Sequence, residues 1–338
     1  MIKRKVHRVF KPGSINRLTL TEEDLPALET GEVSIRVRSI GLNFADIFAI
    51  KGLYSATPKG TYIPGLEFAG DIIDPGGSDY KVGERVMGVT RFGAYANHLN
   101  IDQRYISKLP EDWSYSEGAA FQVQVFTAYY ALVPLGNLQK DDKVLIHSAA
   151  GGVGIWANRI AKKKGAYTIG TVGSESKFEV LEKENYDRYL ARGKDFRKSY
   201  LNKIGDVKLD LVLECIGGKV LMDSYKQMER MGRLITYGSA HFASPTNGVN
   251  YFSLLLKYMK RPKFDPLKMV TSNKSVMGFN LIWLFDKAYL YRQYLDEIIA
   301  LNLERPIVGH SFPFEKAKEA LTFFQSGMTV GKVVLEVE

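Results

Sequence analysis

The chain changes its pattern of apolar and polar positions between its first and middle thirds. Early on the pattern is short and two-fold. Val33 to Ser39 alternates as a half-buried strand does, Asp74-Pro75-Gly76-Gly77-Ser78 interrupts as a loop, and Gly83-Glu84-Arg85-Val86-Met87-Gly88 sets a strand between glycines. These signals predict a β-rich domain over residues 1–125. From Lys143 onward strand and helix alternate: Val144 to His147, a helix from Gly152 to Lys164, Tyr167 to Val172, a helix from Glu175 to Glu184, then Leu209 to Glu214. A helix around Met222 to Met231 leads into a strand from Arg233 to Gly238. Such alternation predicts an α/β domain with a parallel sheet covered by helices. Residues 250–269 mix leucines, aromatics and cations, with Pro262 and Pro266 as breaks, and mark an insertion or lid. Helices from Tyr291 to Leu303 and from Phe314 to Ser326 follow, and Gly331 to Val337 closes the chain as a strand.

The first strand of the alternating region runs into HSAAGGVGIWANRIAKKKG, residues 147–165. Taken locally, Ala149-x-Gly151-x-x-Gly154 is either a cradle for the pyrophosphate of a dinucleotide or a tight turn. Its setting, a strand before and a helix after, inside a βαβ unit, favours the cradle. Glycine at 151 would let the backbone approach the phosphates, glycine at 154 would let the helix pack close on the strand, and the helix N-terminus would supply N–H groups. In NAD-preferring folds a carboxylate ends the second strand and holds the ribose 2′-hydroxyl. Here that place reads Thr171-Val172-Gly173-Ser174, followed by Lys177. A hydroxyl and a cation there favour NADPH over NADH.

Composition narrows the classes further. At 338 residues the chain exceeds one ordinary core, so two domains are expected. Its net charge of +9 is spread out, with only short clusters at Lys3-Arg4-Lys5 and Lys162-Lys163-Lys164, and no nucleic-acid motif accompanies it. Cys215 is the single cysteine, which excludes an intramolecular disulfide and a cysteine-rich zinc site. No uncharged apolar stretch reaches the ~20 residues of a membrane span. A soluble, cytoplasmic, metal-free protein is the expectation.

Several segments, in order, resemble the medium-chain dehydrogenase/reductase superfamily and, within it, the zinc-free quinone oxidoreductases. They are Gly41-Leu42-Asn43-Phe44-Ala45-Asp46, Gly52-Leu53-Tyr54, Pro64-Gly65-Leu66-Glu67-Phe68-Ala69-Gly70, Val82 to Gly88, Phe92-Gly93-Ala94-Tyr95-Ala96, Thr127-Ala128-Tyr129, the glycine stretch, and Gly331-Lys332-Val333-Val334-Leu335. Ala119-Ala120-Phe121, Ala149 to Gly154 and Asn273 to Leu281 are most similar to the branch named for the synaptic-vesicle membrane protein of the vesicle amine transport type.

The resemblance implies a Rossmann domain, residues 126–265, inserted into a GroES-like β-rich catalytic domain formed by residues 1–125 and 266–338. Where zinc-dependent members carry a Cys, the Gly41-Leu42-Asn43 segment has none. Where they carry a His before the Glu, this chain has Leu66. Glu67 is therefore expected to serve an internal ion pair or hydrogen bond, and Asp46 a structural role.

Asn43 and Tyr54 match pocket residues and are the catalytic candidates: Asn43 as an amide donor to a quinone or enone oxygen, Tyr54 as a hydrogen-bond or proton donor. The cofactor residues carried over are Thr127, Ala150, Gly151, Gly152, Val153, Gly154, Ser174, Lys177, Gly238, Ser239 and Lys332. Arg192 is a charged substitute for a tyrosine that relatives use at the 2′-phosphate. Cys215 and His147 end strands and are expected to be structural, while His241 is placed to reach the cleft. The implied activity is NADPH-dependent hydride transfer to a quinone or an α,β-unsaturated carbonyl, in a homodimer paired through the sheet edge at Val276-Met277-Gly278-Phe279. The alternative is an NADPH-binding protein acting through a partner or a membrane surface, motivated by Tyr251 to Arg261.

Overall fold

A computed structural model of the protein describes residues 2–243 and 246–338. The alternating region forms a six-stranded, all-parallel sheet. Its strands are β1 (Lys143–His147), β2 (Tyr167–Val172), β3 (Arg188–Ala191), β4 (Leu209–Glu214), β5 (Met228–Thr236) and β6 (Ser275–Gly278). They lie in the order β3-β2-β1-β4-β5-β6. This is the doubly wound order, whose direction reverses between β1 and β4, and a crevice opens at the carboxyl ends there. The strands read as apolar runs because helices cover both faces: Val144, Leu145, Ile146, Leu211, Val212 and Leu213 are fully buried.

The helix Gly152–Lys163 follows β1 and buries Ile155, Trp156, Ala157, Ile160 and Ala161. Its last turn carries Lys162 and Lys163, which complement the negative end of the helix dipole.

Two boundaries differ from the sequence-based expectation. The helix after β4 runs Gly218–Gln227 and stops short of Met231, because Met228 already pairs with Leu209 and begins β5. Met231 then adopts a left-handed φ of 66° and its N–H donates to the Asn273 carbonyl. Apolar spacing at Met228 and Met231 mimics another helical turn. The expected domain boundary at residue 265 also falls before β6, whose partner is β5, so the parallel sheet extends to Gly278.

The β-rich domain is built around Glu32–Gly41, in which Val33, Ile35 and Val37 are fully buried while Arg36 is exposed. It pairs with Glu67–Asp74, His98–Asp102 and, from the far end of the chain, Lys332–Glu336. Val308–Pro313 pairs in turn with Lys332–Glu336. Phe314, Leu321, Val333 and Leu335 share one core with Val33, Ile35 and Phe68. The chain thus leaves the first domain, builds the parallel sheet, and returns to complete the domain it left.

Residues 250–269 contain the helix Tyr251–Met259 and the start of the helix Pro266–Ser272, with Pro266 at the first turn and Asp265 as N-cap. Among the described residues no helix is long and apolar enough to cross a membrane.

Candidate active site

The glycine stretch sits at the carboxyl end of β1. Ser148 takes a left-handed φ of 53°, Gly151 caps the helix Gly152–Lys163, and Ala149 is fully buried with its N–H on the Thr171 carbonyl at 3.0 Å. Alanine therefore fills the first glycine position without strain. A Cβ at Gly154 would lie 2.5 Å from the Ser148 carbonyl oxygen and 2.7 Å from Ala149 Cα, so glycine there lets the helix lie against the turn. At Gly152 a Cβ would lie 1.8 Å from Gln124 Oε1. The Tyr186 hydroxyl braces the turn by donating toward the Gly154 carbonyl at 2.8 Å and the Ala149 carbonyl at 3.2 Å. Ala150, Gly151, Gly152, Val153 and Gly154 thus form one turn, with the N-terminal N–H groups of the helix at its end.

At the end of β2, Ser174, Lys177 and Arg192 come together around Gly173. A Cβ on Gly173 would stand 3.5 Å from an Arg192 guanidinium nitrogen, and Arg192 also donates to Thr171 Oγ1 at 3.2 Å. Lys177 lies within the field of Arg192, and burial together with that neighbouring cation holds its ammonium below the usual range. Its Nζ donates to the carbonyls of Gly327 and Thr329, both at 2.6 Å, which leaves one of its three hydrogens. Ser174 is exposed, its hydroxyl 2.9 Å from that of Ser176. The strand end from Thr171 to Ser174 includes no carboxylate.

Across the crevice, Cys215 and Gly238 follow the neighbouring strands β4 and β5, a Cβ on Gly238 lying 3.4 Å from Cys215 Cβ. The Cys215 thiol points to Ser148 Oγ at 3.4 Å, and burial pushes it up. Ser239 and His241 follow, with the His241 N–H on the Ile216 carbonyl and its carbonyl accepting from Lys257 Nζ at 2.8 Å. His147 is fully buried between the hydroxyls of Thr171 at 2.7 Å and Ser224 at 2.9 Å. Burial drives its imidazole well below the usual range, so it stays neutral and structural.

The catalytic candidates lie differently from expectation. Asn43 is buried, and its amide is committed: Nδ2 donates to Glu67 Oε1 at 2.8 Å and to the Gly41 carbonyl at 3.3 Å, while Oδ1 accepts from Lys332 Nζ at 2.9 Å. Both amide hydrogens are used, so Asn43 presents no free donor to a substrate. Lys332, expected at the cofactor, is only 1% exposed and forms an ion pair with Glu67 Oε1. It reaches the glycine turn through its neighbour, since the Gly331 N–H donates to the Ala150 carbonyl at 2.9 Å.

Glu67 Oε2 accepts from the Val123 N–H at 3.0 Å, at the start of the helix Gln122–Tyr130 that carries Thr127. Thr127 Oγ1 is itself bonded to the Val123 carbonyl at 2.6 Å. One carboxylate thus ties the Asn43 loop, the Thr127 helix and the terminal strand. Asp46 accepts from the Asn43 N–H at 2.8 Å and from the Tyr95 hydroxyl at 3.1 Å, and burial raises its carboxyl to about 7.

Tyr54 donates to Asn280 Oδ1 at 2.7 Å, joining the β-rich domain to the segment after β6. Burial, partly offset by that bond, pushes its hydroxyl up to about 12. Sequence reading missed Asn280 and Gln124. Asn280 lay inside a quoted segment, but nothing local paired it with Tyr54.

A family model described as alcohol dehydrogenase GroES-like domain matches residues 29–111, and one described as zinc-binding dehydrogenase matches residues 152–281. A synaptic vesicle membrane protein VAT-1 homolog of Danio rerio is 32% identical over 93% of this chain, which spans 66% of that protein's length. The human VAT-1 homolog-like protein is 30% identical over 96% of this chain, which spans 79% of that protein. A crystal structure of the human VAT-1 homolog-like protein superposes with a TM-score of 0.84 at 27% identity, covering 100% of this chain and 99% of that one. The quinone oxidoreductase of Thermus thermophilus, solved with and without NADPH, superposes with a TM-score of 0.79 at 27% identity, covering 98% and 99%.

The zinc named in one model's description does not fit the residues here. Among the described residues no group of three or more His, Cys, Asp or Glu side chains is gathered as a metal site, and the buried Glu67 is already neutralised by the Lys332 ammonium.

Proposed function

We propose that this chain, which belongs to the medium-chain dehydrogenase/reductase superfamily and its VAT-1-like quinone oxidoreductase branch, is a cytoplasmic, zinc-independent NADPH-dependent reductase of quinones or α,β-unsaturated carbonyls. One observation carries the cofactor choice: two cations, Lys177 and Arg192, flank Gly173-Ser174 where an NAD-preferring site needs a carboxylate. The turn from Ala150 to Gly154 would hold the pyrophosphate at the helix N-terminus, and Arg192 would pair with the 2′-phosphate through charge-assisted bonds. When bound, NADPH supplies a hydride to an electron-poor carbon.

Tyr54 stays protonated at neutral pH and serves as the donor to the substrate oxygen, exchanging its bond to Asn280 for one to substrate. Asn43 acts through Glu67 and Lys332 as a positioning residue. The Glu67–Lys332 pair supports the zinc-free reading, because the cation that neutralises the carboxylate is covalently part of the chain. NADPH absorbance followed against a panel of quinones and enones, with NADH in parallel, tests this. Oxidation with NADPH preferred is expected, and tight NADPH binding with no oxidation by any acceptor would defeat it. A homodimer paired along the exposed edge of β6 completes the reading; light scattering at one chain's mass would remove it.

A second reading has its own observation. The helices Tyr251–Met259 and Pro266–Ser272 bury no residue, and Phe252, Leu267 and Val270 are 71%, 78% and 79% exposed beside Lys257, Lys260, Arg261 and Lys268. Apolar faces rimmed by cations suit an anionic lipid surface. Sedimentation with anionic liposomes that is absent, or unchanged by neutralising Lys257, Lys260 and Arg261, would exclude it.

A further inference from the structure

Asn280 stands at the carboxyl edge of the parallel sheet, the edge at which such sheets take their ligands. β5 and β6 pair in register through Thr236 and Gly278, and the Phe279 N–H extends the ladder to the Thr236 carbonyl at 3.1 Å. That register sets Asn280 level with Gly238. Gly238 in turn lies against Cys215, and the Cys215 thiol points to Ser148 Oγ at 3.4 Å, at the start of the glycine turn. Ser148, Cys215, Gly238 and Asn280 thus form a row past the ends of β1, β4, β5 and β6, about 14 Å from first strand to last at ordinary strand spacing. Lys177 and Arg192 lie on the opposite side of the turn, at the end of β2. A dinucleotide held at the turn with its 2′-phosphate on those cations would extend its reactive half along this row.

Tyr54 meets the row at its far end, with its hydroxyl on Asn280 Oδ1 at 2.7 Å. The bond engages only the oxygen of that carboxamide. Asn280 Nδ2 carries two hydrogens, and among the described residues neither has an acceptor. Both side chains are half-buried. Asn43, by contrast, has its amide hydrogens spent on Glu67 and the Gly41 carbonyl. The amide free to donate beside Tyr54 is therefore that of Asn280.

We propose that Asn280 is a further catalytic residue, donating from Nδ2 to the carbonyl oxygen of the substrate while Tyr54, from the β-rich domain, turns its hydroxyl from Oδ1 to the same oxygen. This rests on the reductase reading for the identity of that oxygen. As hydride is delivered to the β-carbon of an enone, the conjugated electron pairs shift toward the oxygen, and two donors already in place there hold the enolate. Water returns the proton at the α-carbon, so both side chains end as they began.

The test uses benzylideneacetone, isotopically labelled at its carbonyl carbon and bound to the full chain saturated with oxidised NADP, so that no turnover occurs. Infrared difference spectroscopy reads the carbonyl stretch. It should move to lower frequency on binding, and Asn280→Leu and Tyr54→Phe should each lose part of that movement. Asn280→Asp still accepts from Tyr54 but offers no donor, so it should lose at least as much as Asn280→Leu. In turnover with NADPH, Asn280→Leu should lower kcat about 100-fold, the cost of one such donor, with KM within about threefold.

A stretch unchanged by Asn280→Leu, an Asn280→Asp variant that behaves as the unaltered protein, or no binding of the enone overturns the proposal. A bond that only tied the domains together would alter stability and leave the bound carbonyl as it was. NADPH oxidation separates the two ideas. A shifted, Asn280-dependent stretch without oxidation by any acceptor keeps the donor pair and removes the reductase, whereas oxidation at an unaltered rate in both Asn280 variants removes the donor and keeps the reductase.

Discussion

Replacing Lys332 by methionine isolates the buried ion pair at the centre of the site. The change keeps an unbranched apolar stem and deletes the charge. Both Lys332 and Glu67 side chains are 1% exposed, so the Glu67 carboxylate would lose its cation without gaining water. Stripping one partner from a buried pair costs about 3–5 kcal/mol. Glu67 would keep the N–H donors of Asn43 at 2.8 Å and Val123 at 3.0 Å. Those bonds to a charged acceptor place the expected loss at the lower end, about 3 kcal/mol, against a total stability of roughly 5–15 kcal/mol. Urea unfolding of the full chain reads the difference. Adding Glu67→Gln to Lys332→Met removes the orphaned charge and should recover more than half of the loss. A single-variant loss under about 1 kcal/mol, the range of exposed pairs, would refute the view that this pair is desolvated and structural. A double variant no more stable than the single would refute it as well.

Three further outcomes follow from the same geometry. Lys177→Ala and Arg192→Ala should each weaken NADPH binding about tenfold or more while changing NADH little, as loss of a charge-assisted phosphate contact requires; titration calorimetry showing equal effects on both would remove them from the 2′-phosphate. Gly154→Ala places a methyl group 2.5 Å from the Ser148 carbonyl oxygen, so NADPH affinity should collapse and stability fall by about 1–3 kcal/mol; unchanged binding in fluorescence titration would contradict the close helix–turn contact. Burial lifts Asp46 from an ordinary 3.8 to about 7, so the folded state holds a proton that the unfolded state releases. Its contribution is complete at low pH and is lost as pH rises toward and through about 7. Asp46→Asn should flatten that part of the stability–pH curve, and an unchanged slope would contradict it.

The parts of this protein legible in its sequence are those set by neighbours along the chain. The turn from Ala149 to Gly154 follows β1 and opens a helix, and the absence of a carboxylate after Val172 is visible by counting along β2. Less was legible where the chain folds back on itself. Lys332 and Glu67 are 265 positions apart and Tyr54 and Asn280 are 226 apart, so no periodicity relates them. For that reason Asn43 reads as a free donor in sequence and proves committed in structure. Lys332 similarly sits one residue from Gly331, the partner of the glycine turn, yet turns into the interior. Met231 was lost to a different cause, since apolar spacing continued a helix that strand pairing with Leu209 had already ended.

In the proposed reductase, hydride would pass from NADPH, held at the Ala150–Gly154 turn, to an electron-poor carbon facing Tyr54. NADPH deuterated at the transferring nicotinamide position, incubated with the protein and an α,β-unsaturated ketone, tests it when the product is read by mass spectrometry. The prediction is one deuterium on the β-carbon, with formation strongly reduced when NADH replaces NADPH. Reduced product lacking the label, or no product while NADPH remains bound, would contradict it.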